Sequence, residues 1–340
     1  MTANRNIKRR IRARAARTGE SYTAARRHVV RPEPAAAAAE PHPLRLAVAQ
    51  TAVRHDPGDR DGLRESGREV RAMMRAARDA GARLVHFSEG AICFPHKQVM
   101  SSTGPDGIGA ADWTRCDWDT LREELESVAA LARELRLWTV VASVHRLTEP
   151  HRPHNSMYVI DDRGVVATRY DERYLSATKL AHLYTPGSTP VTFDVDGTRF
   201  GCALGMEAHF PEVFAEYERL DVDCVLVSTT GDGAGDGAVF ATECQGHAAV
   251  NSYWVSFAVP TTSAPAAPSG VLAPTGRWVG RCGADGVRGL DVAVVDLTDP
   301  GEDVQTAVSL ARPWRRRARS GLYDAHVVRE DARSDDRSTF

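Results

Sequence analysis

The chain of 340 residues carries a formal net charge of −2 and 42% hydrophobic residues, values that are ordinary for a globular protein. This balanced charge argues against a polyanionic partner for the chain as a whole. No apolar run in the sequence is long enough to cross a membrane. The six cysteines are scattered and form no CxxC pair, which predicts reduced thiols and a cytoplasmic location.

The N-terminal segment, residues 1–32, is a basic arm that holds ten Lys or Arg residues and one acidic residue, Glu20. The stretch Arg9–Ala16 has helical propensity. A basic helix can bind the phosphate backbone of a nucleic acid, but the same composition suits a solvated extension or a docking peptide. Residues 33–43 form an Ala/Pro-rich linker, and the globular pattern begins at Leu44.

In the body, residues 44–311, predicted strands and helices alternate along the chain. The first elements are the strand LRLAVAQTAV, the helix DGLRESGREVRAMMRAARDAGA closed by Gly81, the strand RLVHFSE, the helix WDTLREELESVAALARELRL and the strand WTVVASV. Two hairpins follow, with turns at Asp161–Gly164 and Asp196–Gly197. Residues 312–340 are Arg-rich and then acidic, which favours a charged C-terminal tail.

After the hairpins, the alternation continues to the end of the body. The segments are the helix PEVFAEYERLD, the strand CVLVSTT, a helix around ATECQGHAAVNS, and the strands within YWVSFAVP, SGVLAPTGRWVGRC and LDVAVVDL. Helices, alternating strands and hairpins together predict an α/β fold with a mixed sheet packed on helices. The glycine-rich loop 229–237 is compatible with a flap at the mouth of a site and equally with a plain connection.

Six of these segments, taken in order, resemble the carbon–nitrogen hydrolase (nitrilase) superfamily. They are LRLAVAQ, AGARLVHFSE, HNSMYVIDDRGVVATRYDERYL, YTPG, GCALGMEAHFPEVF and SGVLAPTGRWVGRC. The resemblance implies a nitrilase-like αββα sandwich that pairs into homodimers or higher homo-oligomers. It also implies a Glu-Lys-Cys triad that acts on the C–N bonds of amides or nitriles. The residues themselves predict no cofactor and no metal.

The resemblance assigns one triad position clearly and leaves two in doubt. Glu89, at the end of a buried strand, matches the catalytic glutamate. Glu172 stands where the lysine is expected, and Gly205 stands where the nucleophilic cysteine is expected. Two carboxylates in a pocket built for an ion pair leave three alternatives: one is protonated, a cation lies between them, or Glu172 turns to solvent.

Other side chains are candidates for the remaining chemistry. Lys179 is the nearest replacement cation, although an exposed loop lysine is the alternative interpretation. His145, Glu207 and His209 fall near family pocket positions, but their spacing is a weak metal signal.

Two cysteines close to these positions could in principle replace the missing nucleophile. Cys202, three residues before Gly205, should face the opposite side of its strand, and Cys93 could approach the pocket from a loop. Core packing is the simpler role for both thiols. The sequence therefore favours a pseudoenzyme that binds a small ligand or a partner. The alternatives are a divergent hydrolase, with a relocated nucleophile or a water activated by Glu89, and a regulatory protein that docks through its basic arm.

Overall fold

The fold is built on two six-stranded sheets. The computed structural model describes residues 44–231, 237–284, 291–297 and 312–327, and within the arm residues 8–9, 11–13, 15–16 and 22. The chain divides into two compact units, Met1–Pro43 and Leu44–Phe340, and the described residues of the first unit are helical. The flap hypothesis for the loop 229–237 falls largely on residues 232–236, which lie outside the described part.

Both sheets are mixed, with parallel strands at their centres. The first contains β1 (Arg45–Gln50), β2 (Leu84–Phe87), β3 (Trp138–His145), β4 (His154–Ile160), β5 (Val166–Asp171) and β12 (Asp291–Asp296), in the order β12-β1-β2-β3-β4-β5. The second contains β6 (Thr192–Val195), β7 (Thr198–Leu204), β8 (Cys224–Ser228), β9 (Trp254–Ala258), β10 (Gly270–Leu272) and β11 (Trp278–Arg281), in the order β11-β10-β9-β8-β7-β6. Strands β1, β2 and β3 run parallel, as do β7, β8 and β9. The carboxyl ends of parallel strands lie at one edge of a sheet, where α/β proteins commonly bind ligands.

Four helices cover the outer faces of the sheets. Helices α1 (Arg60–Asp79) and α2 (Trp118–Leu135) pack on the first sheet, and α3 (Pro211–Arg219) and α4 (Gly237–Asn251) pack on the second. This is the αββα sandwich that the resemblance implied, and the prediction is confirmed. Within the described ranges, no helix combines the length and the apolar character that a membrane span needs.

The interior between the sheets is largely apolar and contains a buried polar bridge at His86. Leu46 and Val48 of the first sheet pack in the same cluster as Leu226 of the second. His86 lies among them, with Nδ1 2.9 Å from Ser256 Oγ and Nε2 2.8 Å from Ser228 Oγ. Burial lowers the pKa of His86 to about 3, so the ring is neutral and joins the sheets through hydrogen bonds alone.

Local signals in the sequence fix several element ends. The Asp59 side chain accepts a hydrogen bond from the Gly62 N–H and caps α1, and Gly81 follows the helix with φ +84°. The turn of the first hairpin closes with a 2.9 Å bond from the Gly164 N–H to the Asp161 carbonyl. At the second turn, Asp196 and Gly197 both have positive φ, as a two-residue hairpin connection requires. Both predicted hairpins are therefore confirmed.

The segment from Arg312 begins with a helix, α5 (312–319), that contacts the body. The Arg312 guanidinium donates to Asp223 Oδ1 at 2.7 Å and to the Val222 carbonyl at 2.6 Å. Arg316 forms an ion pair with Asp221 at 2.9 Å. The first residues of the segment that the sequence predicted as a charged tail are thus bonded to the connection between α3 and β8.

We expect the body to fold without the basic arm and linker. Residues 1–43 have a one-sided charge and few large apolar side chains, so they offer little burial energy. A chain shortened to residues 44–340 should change its melting temperature by less than about 2 °C relative to the full chain. The measurement is circular dichroism melting of both chains side by side, and a loss of several degrees would show that the arm stabilises the body.

Candidate active site

The carboxylate of Glu89 is buried two residues after the end of β2. Only 1% of its side chain is exposed. Its Oε1 accepts hydrogen bonds from Lys179 Nζ at 2.6 Å and Asn155 Nδ2 at 2.8 Å, and its Oε2 accepts the Thr230 N–H at 2.9 Å. The first sheet supplies the carboxylate and Asn155, while the second supplies the backbone donor after β8.

Glu172 follows β5 directly and is fully buried beside Glu89. Its Oε2 accepts hydrogen bonds from Lys179 Nζ at 2.8 Å and Asn155 Nδ2 at 2.6 Å, and its Oε1 lies 3.1 Å from the same Nζ. The amide of Asn155 therefore donates to both carboxylates. Lys179 provides the cation between them, so of the three alternatives raised by the sequence, the structure contains a bridging cation.

A π-helical turn, Lys179–Leu183, directs the lysine inward. The Tyr184 N–H donates to the Lys179 carbonyl at 2.9 Å, which closes the wide turn. On the outside of the turn, Arg152 donates to the carbonyls of Leu180 and Ala181. These bonds satisfy the backbone of an irregular segment and hold its first residue against the two glutamates.

The cluster of Glu89, Glu172 and Lys179 holds two carboxylates against one ammonium. Burial raises the pKa of Glu172; Lys179 opposes this shift, and Glu89 adds to it. Burial works against a charged lysine, but the two carboxylates outweigh it and raise the pKa of Lys179. The lysine therefore stays charged, and burial favours the protonated form of Glu172.

Gly205 lies against this cluster at the end of β7, with φ +62°. A Cβ atom built on it would overlap the Glu172 carboxylate and would lie 2.9 Å from Lys179 Nζ. The space that a side chain at this position would enter is therefore already filled. Glycine is favoured here both by the positive φ and by this close approach.

Glu207 holds the turn of Gly205 in place. This buried carboxylate accepts the backbone N–H groups of Arg173 at 2.7 Å and Leu204 at 2.8 Å, and the Tyr170 hydroxyl at 2.6 Å. The bonds tie the end of β7 to the segment that follows β5. Glu207 therefore fixes the separation between Gly205 and Glu172.

A cavity of about 410 Å³ opens above the cluster. Lys179 lines it, whereas Glu89 and Glu172 lie behind the lysine and do not. The other lining residues are Val53, His55, Phe94, Pro95, His96, Lys97, Ser176, Thr178, Leu183, Tyr184, Thr230, Gly231, Pro260, Thr262 and Ser263. The volume falls within the range of small-molecule sites, roughly 300–1,000 Å³.

Comparisons with known proteins agree with this architecture. The family model described as carbon–nitrogen hydrolase matches residues 45–301. The chain belongs to the carbon–nitrogen hydrolase family. No curated protein matches it.

Solved structures with the same fold include amidases of Nesterenkonia. A cysteine-to-alanine variant of the Nesterenkonia AN1 amidase, from the nitrilase superfamily, has a TM-score of 0.59 at 18% identity, covering 81% of this chain and 98% of that one. An amidase from Nesterenkonia sp. matches with a TM-score of 0.59 at 19% identity and the same two coverages. A further variant of the AN1 amidase carries the acetamide moiety of fluoroacetamide on its active site cysteine, with a TM-score of 0.59, 18% identity, and coverages of 84% and 99%. At such low sequence identities, the similarity to these structures shows a shared fold.

Four of the residues that the sequence proposed for the site lie together in the structure. Glu89, Glu172, Lys179 and Gly205 form one cluster at the carboxyl ends of β2, β5 and β7. Lys179 is the member that reaches the cavity, with 17% of its side chain exposed. It is thus a buried partner of two glutamates, and the interpretation as an exposed loop lysine does not hold.

The structure places His145, Glu207 and His209 in other networks, although the sequence assigned them to the ligand pocket. His145, at the end of β3, contacts the Tyr158 hydroxyl and Arg169 at 2.8 Å each. His209 Nδ1 lies 2.8 Å from Glu243 on α4. None of these three residues lines the cavity. A residue that is close in sequence to a site residue can still point its side chain away from the site. Among the described residues, no group of three or more His, Cys, Asp or Glu side chains is arranged to hold a metal ion.

None of the cysteines is among the described residues that line the cavity. All six are buried. Cys202 faces the core between the sheets, and Cys93 packs in the cluster beneath α1 and α2. Burial raises the pKa of both thiols, so neither is a ready thiolate.

Two residues beside the cluster and the cavity were not singled out from the sequence. Asn155 was recognised only as part of a hairpin, and Tyr184 only as part of the YTPG loop. An asparagine within the otherwise apolar strand HNSMYVI is a signal for Asn155, because a buried amide needs partners. Tyr184 carries no comparable signal in the sequence.

We expect Lys179→Met to destabilise the protein in a pH-dependent way. Removing the cation leaves two buried carboxylates uncompensated, which should cost about 3–5 kcal/mol near pH 8. A carboxyl with a raised folded pKa opposes folding once the pH exceeds its unfolded value of about 4.3, so the cost should shrink toward pH 4. Urea unfolding at both pH values measures it, with Lys97→Met as the control at an exposed lysine. A deficit that is equal at both pH values would indicate lost packing instead of lost charge.

Gly205→Ala should destabilise the protein more than Gly197→Ala. Both glycines have positive φ, so both variants should lose about 1–2 kcal/mol to backbone strain. A Cβ on Gly197 meets nothing within 4 Å, whereas one on Gly205 meets Glu172 and Lys179. This collision should add about 1–3 kcal/mol. Equal losses in urea unfolding of the two variants would show that the space beside Gly205 is open.

Proposed function

We propose that this member of the carbon–nitrogen hydrolase family binds a small molecule without cysteine-dependent turnover. The observation that carries the proposal is the filled space at Gly205. A cysteine nucleophile would have to occupy the position that the Glu172 carboxylate and Lys179 Nζ hold. In the Nesterenkonia amidase variant, the corresponding chemistry takes place at an active site cysteine.

The electrostatics of the cluster support the same proposal. Lys179 is held in its charged form by two glutamates, so it has no lone pair with which to attack a carbonyl carbon. Glu89 is 1% exposed and receives three hydrogen bonds, two on Oε1 and one on Oε2. Its arrangement suits a structural anion better than a base that activates water, because a base needs an accessible lone pair facing the water.

In this proposal the small molecule binds in the cavity that Lys179 lines. It combines apolar walls with a few polar groups, the combination typical of small-molecule sites. The pairing of two or more copies and a cytoplasmic location belong to the same proposal and rest on the resemblance and on the thiols.

We expect no covalent acyl-enzyme when the purified protein is incubated with panels of simple amides and nitriles. Intact-mass spectrometry should give the unmodified mass, and an ammonia assay should give no release above a protein-free blank. Gly205→Cys should not restore activity, because the new side chain collides with Glu172. An adduct that disappears in Cys202→Ser or Cys93→Ser would overturn the proposal by identifying a relocated nucleophile.

A further inference from the structure

A polar cluster lies on the first sheet, apart from the candidate active site. It consists of His145 on β3, His154 and Tyr158 on β4, and Arg169 and Asp171 on β5. The register places His145 opposite His154 and Tyr158 opposite Arg169. These five residues form an outer cluster, since Tyr158 packs with the apolar side chains beneath α1 and α2. None of the five lines the cavity.

The hydrogen bonds of His145 fix its protonation state. Its Nε2 lies 2.8 Å from Arg169 Nη1. A guanidinium can only donate, so Nε2 must accept and carries no proton. The proton is therefore on Nδ1, which donates to the Tyr158 hydroxyl at 2.8 Å. The ring is neutral, and Arg169 sets its tautomer.

Asp171 holds Arg169 in this position. Arg169 Nε donates to Asp171 Oδ1 at 2.7 Å, and Nη2 donates to Oδ2 at 3.0 Å. Burial opposes an ionised Asp171, but the bonds from Arg169 and Ser156 outweigh it and lower the pKa of this carboxyl. The two-point pairing fixes the plane of the guanidinium. A second proton on His145 would therefore face an N–H group that is held in place.

The groups around His145 also favour its neutral form. Burial lowers the pKa of His145, and Arg169 and His154 lower it further, whereas Asp171 acts in the opposite direction. The His154 ring is nearly parallel to that of His145, with 6.5 Å between the two centroids. Two protonated imidazoles at that separation would repel each other.

The remaining neighbours add no compensating negative charge. Burial raises the pKa of Tyr158 to about 12, so its hydroxyl stays neutral. Arg146, the next residue in the chain, lies over the Trp118 ring of α2 at 5.4 Å. Among the described groups that shift the pKa of His145, Asp171 is the one carboxylate, and both of its oxygens already accept from the guanidinium.

The outer cluster joins an edge strand to segments of the candidate site. Strand β5 is the last strand of the first sheet, next to β4, and Asp171 at its end directly precedes Glu172. His154 Nδ1 donates to the Thr185 carbonyl at 2.7 Å, and Thr185 directly follows Tyr184. Bonds across the cluster therefore hold β5 against β3 and β4 where the chain enters the site.

We propose that His145 is an acid-sensitive contact that holds the edge strand β5 in place. When Nε2 takes up a proton, it can no longer accept from Arg169, and the contact between β3 and β5 is lost. The inference is independent of the proposed function, because it concerns the fold and no ligand.

Acid weakens this contact because the folded and unfolded chains differ in proton affinity. A histidine in the unfolded chain titrates near 6.5, whereas the folded protein lowers the pKa of His145. The stability that His145 contributes is therefore complete above about pH 6.5 and is lost as the pH falls toward the folded pKa. Strand β5 should loosen before the centre of the sheet, because an edge strand has a single neighbour.

The first test determines the tautomer and the titration of His145 by long-range 1H–15N NMR on the full chain. His145→Gln identifies its signals by their loss. We expect the Nδ1–H tautomer near pH 7.5 and a midpoint below about 6.5. Arg169→Gln removes the guanidinium and should raise that midpoint. A proton on Nε2 near pH 7.5, or a midpoint that does not respond to Arg169→Gln, would overturn the inference.

The second test measures hydrogen exchange of β5 by mass spectrometry near pH 7.5 and 5.5, corrected for the intrinsic pH dependence of exchange. Protection of Val166–Asp171 should fall about fivefold at the lower pH, the loss expected for one hydrogen bond. His145→Gln should show no such loss, because the glutamine carbonyl accepts from Arg169 and does not titrate. His151→Gln, at an exposed histidine, is the matched control and should behave as the wild type.

An equal loss of protection in the wild type and in His145→Gln would overturn the inference and would assign the pH response to other groups. If His145→Gln does not fold, His145 is assigned through its backbone signals, and the titrations of the wild type and of Arg169→Gln decide the question. Neither experiment measures ligand binding or ammonia release, so a failure here leaves the proposed function untouched.

Discussion

The buried contact of Lys179 with Glu89 and Glu172 is the interaction on which the architecture of the site depends. Two carboxylates without a cation would repel each other at the junction of the two sheets, where no solvent screens them. The ammonium lies 2.6 Å from one and 2.8 Å from the other, and the Asn155 amide donates to both. Breaking such a buried cluster by removing one member costs more than the cluster contributes as a whole, since the remaining charges keep their burial penalty.

The same contact decides what can happen at Gly205. Because the Glu172 carboxylate and Lys179 Nζ fill the space beside it, a side chain at residue 205 would have to displace them, and the structure holds a closed polar cluster at this position. Glu207 strengthens this arrangement by tying the turn of Gly205 to the backbone of Arg173. Gly205 and Glu172 are thus two parts of one packed cluster.

A cavity lies above the cluster, and Lys179 is the member of the cluster that lines it. A protein with neither the thiol nor an open pocket could not react with a small molecule or bind one at this place. Here the carboxylates lie behind the lysine. The described side chains that line the cavity are cationic, hydroxylic or apolar. The buried carboxylates are therefore separated from the cavity, whose lining holds no carboxylate among the described residues.

The sequence by itself determined the order of strands and helices, the hairpin turn at Asp196–Gly197, and the absence of a thiol at residue 205, because these depend on local backbone preferences and on residue identity. It also showed that two carboxylates, Glu89 and Glu172, would compete for one pocket. Only the tertiary structure decided which cation pairs with these carboxylates. Lys179 comes from a loop whose sequence is compatible with solvent exposure, and its position depends on a π-helical turn and on strands from both sheets. A side chain's electrostatic environment depends on segments distant in the chain, and no local pattern encodes their distances.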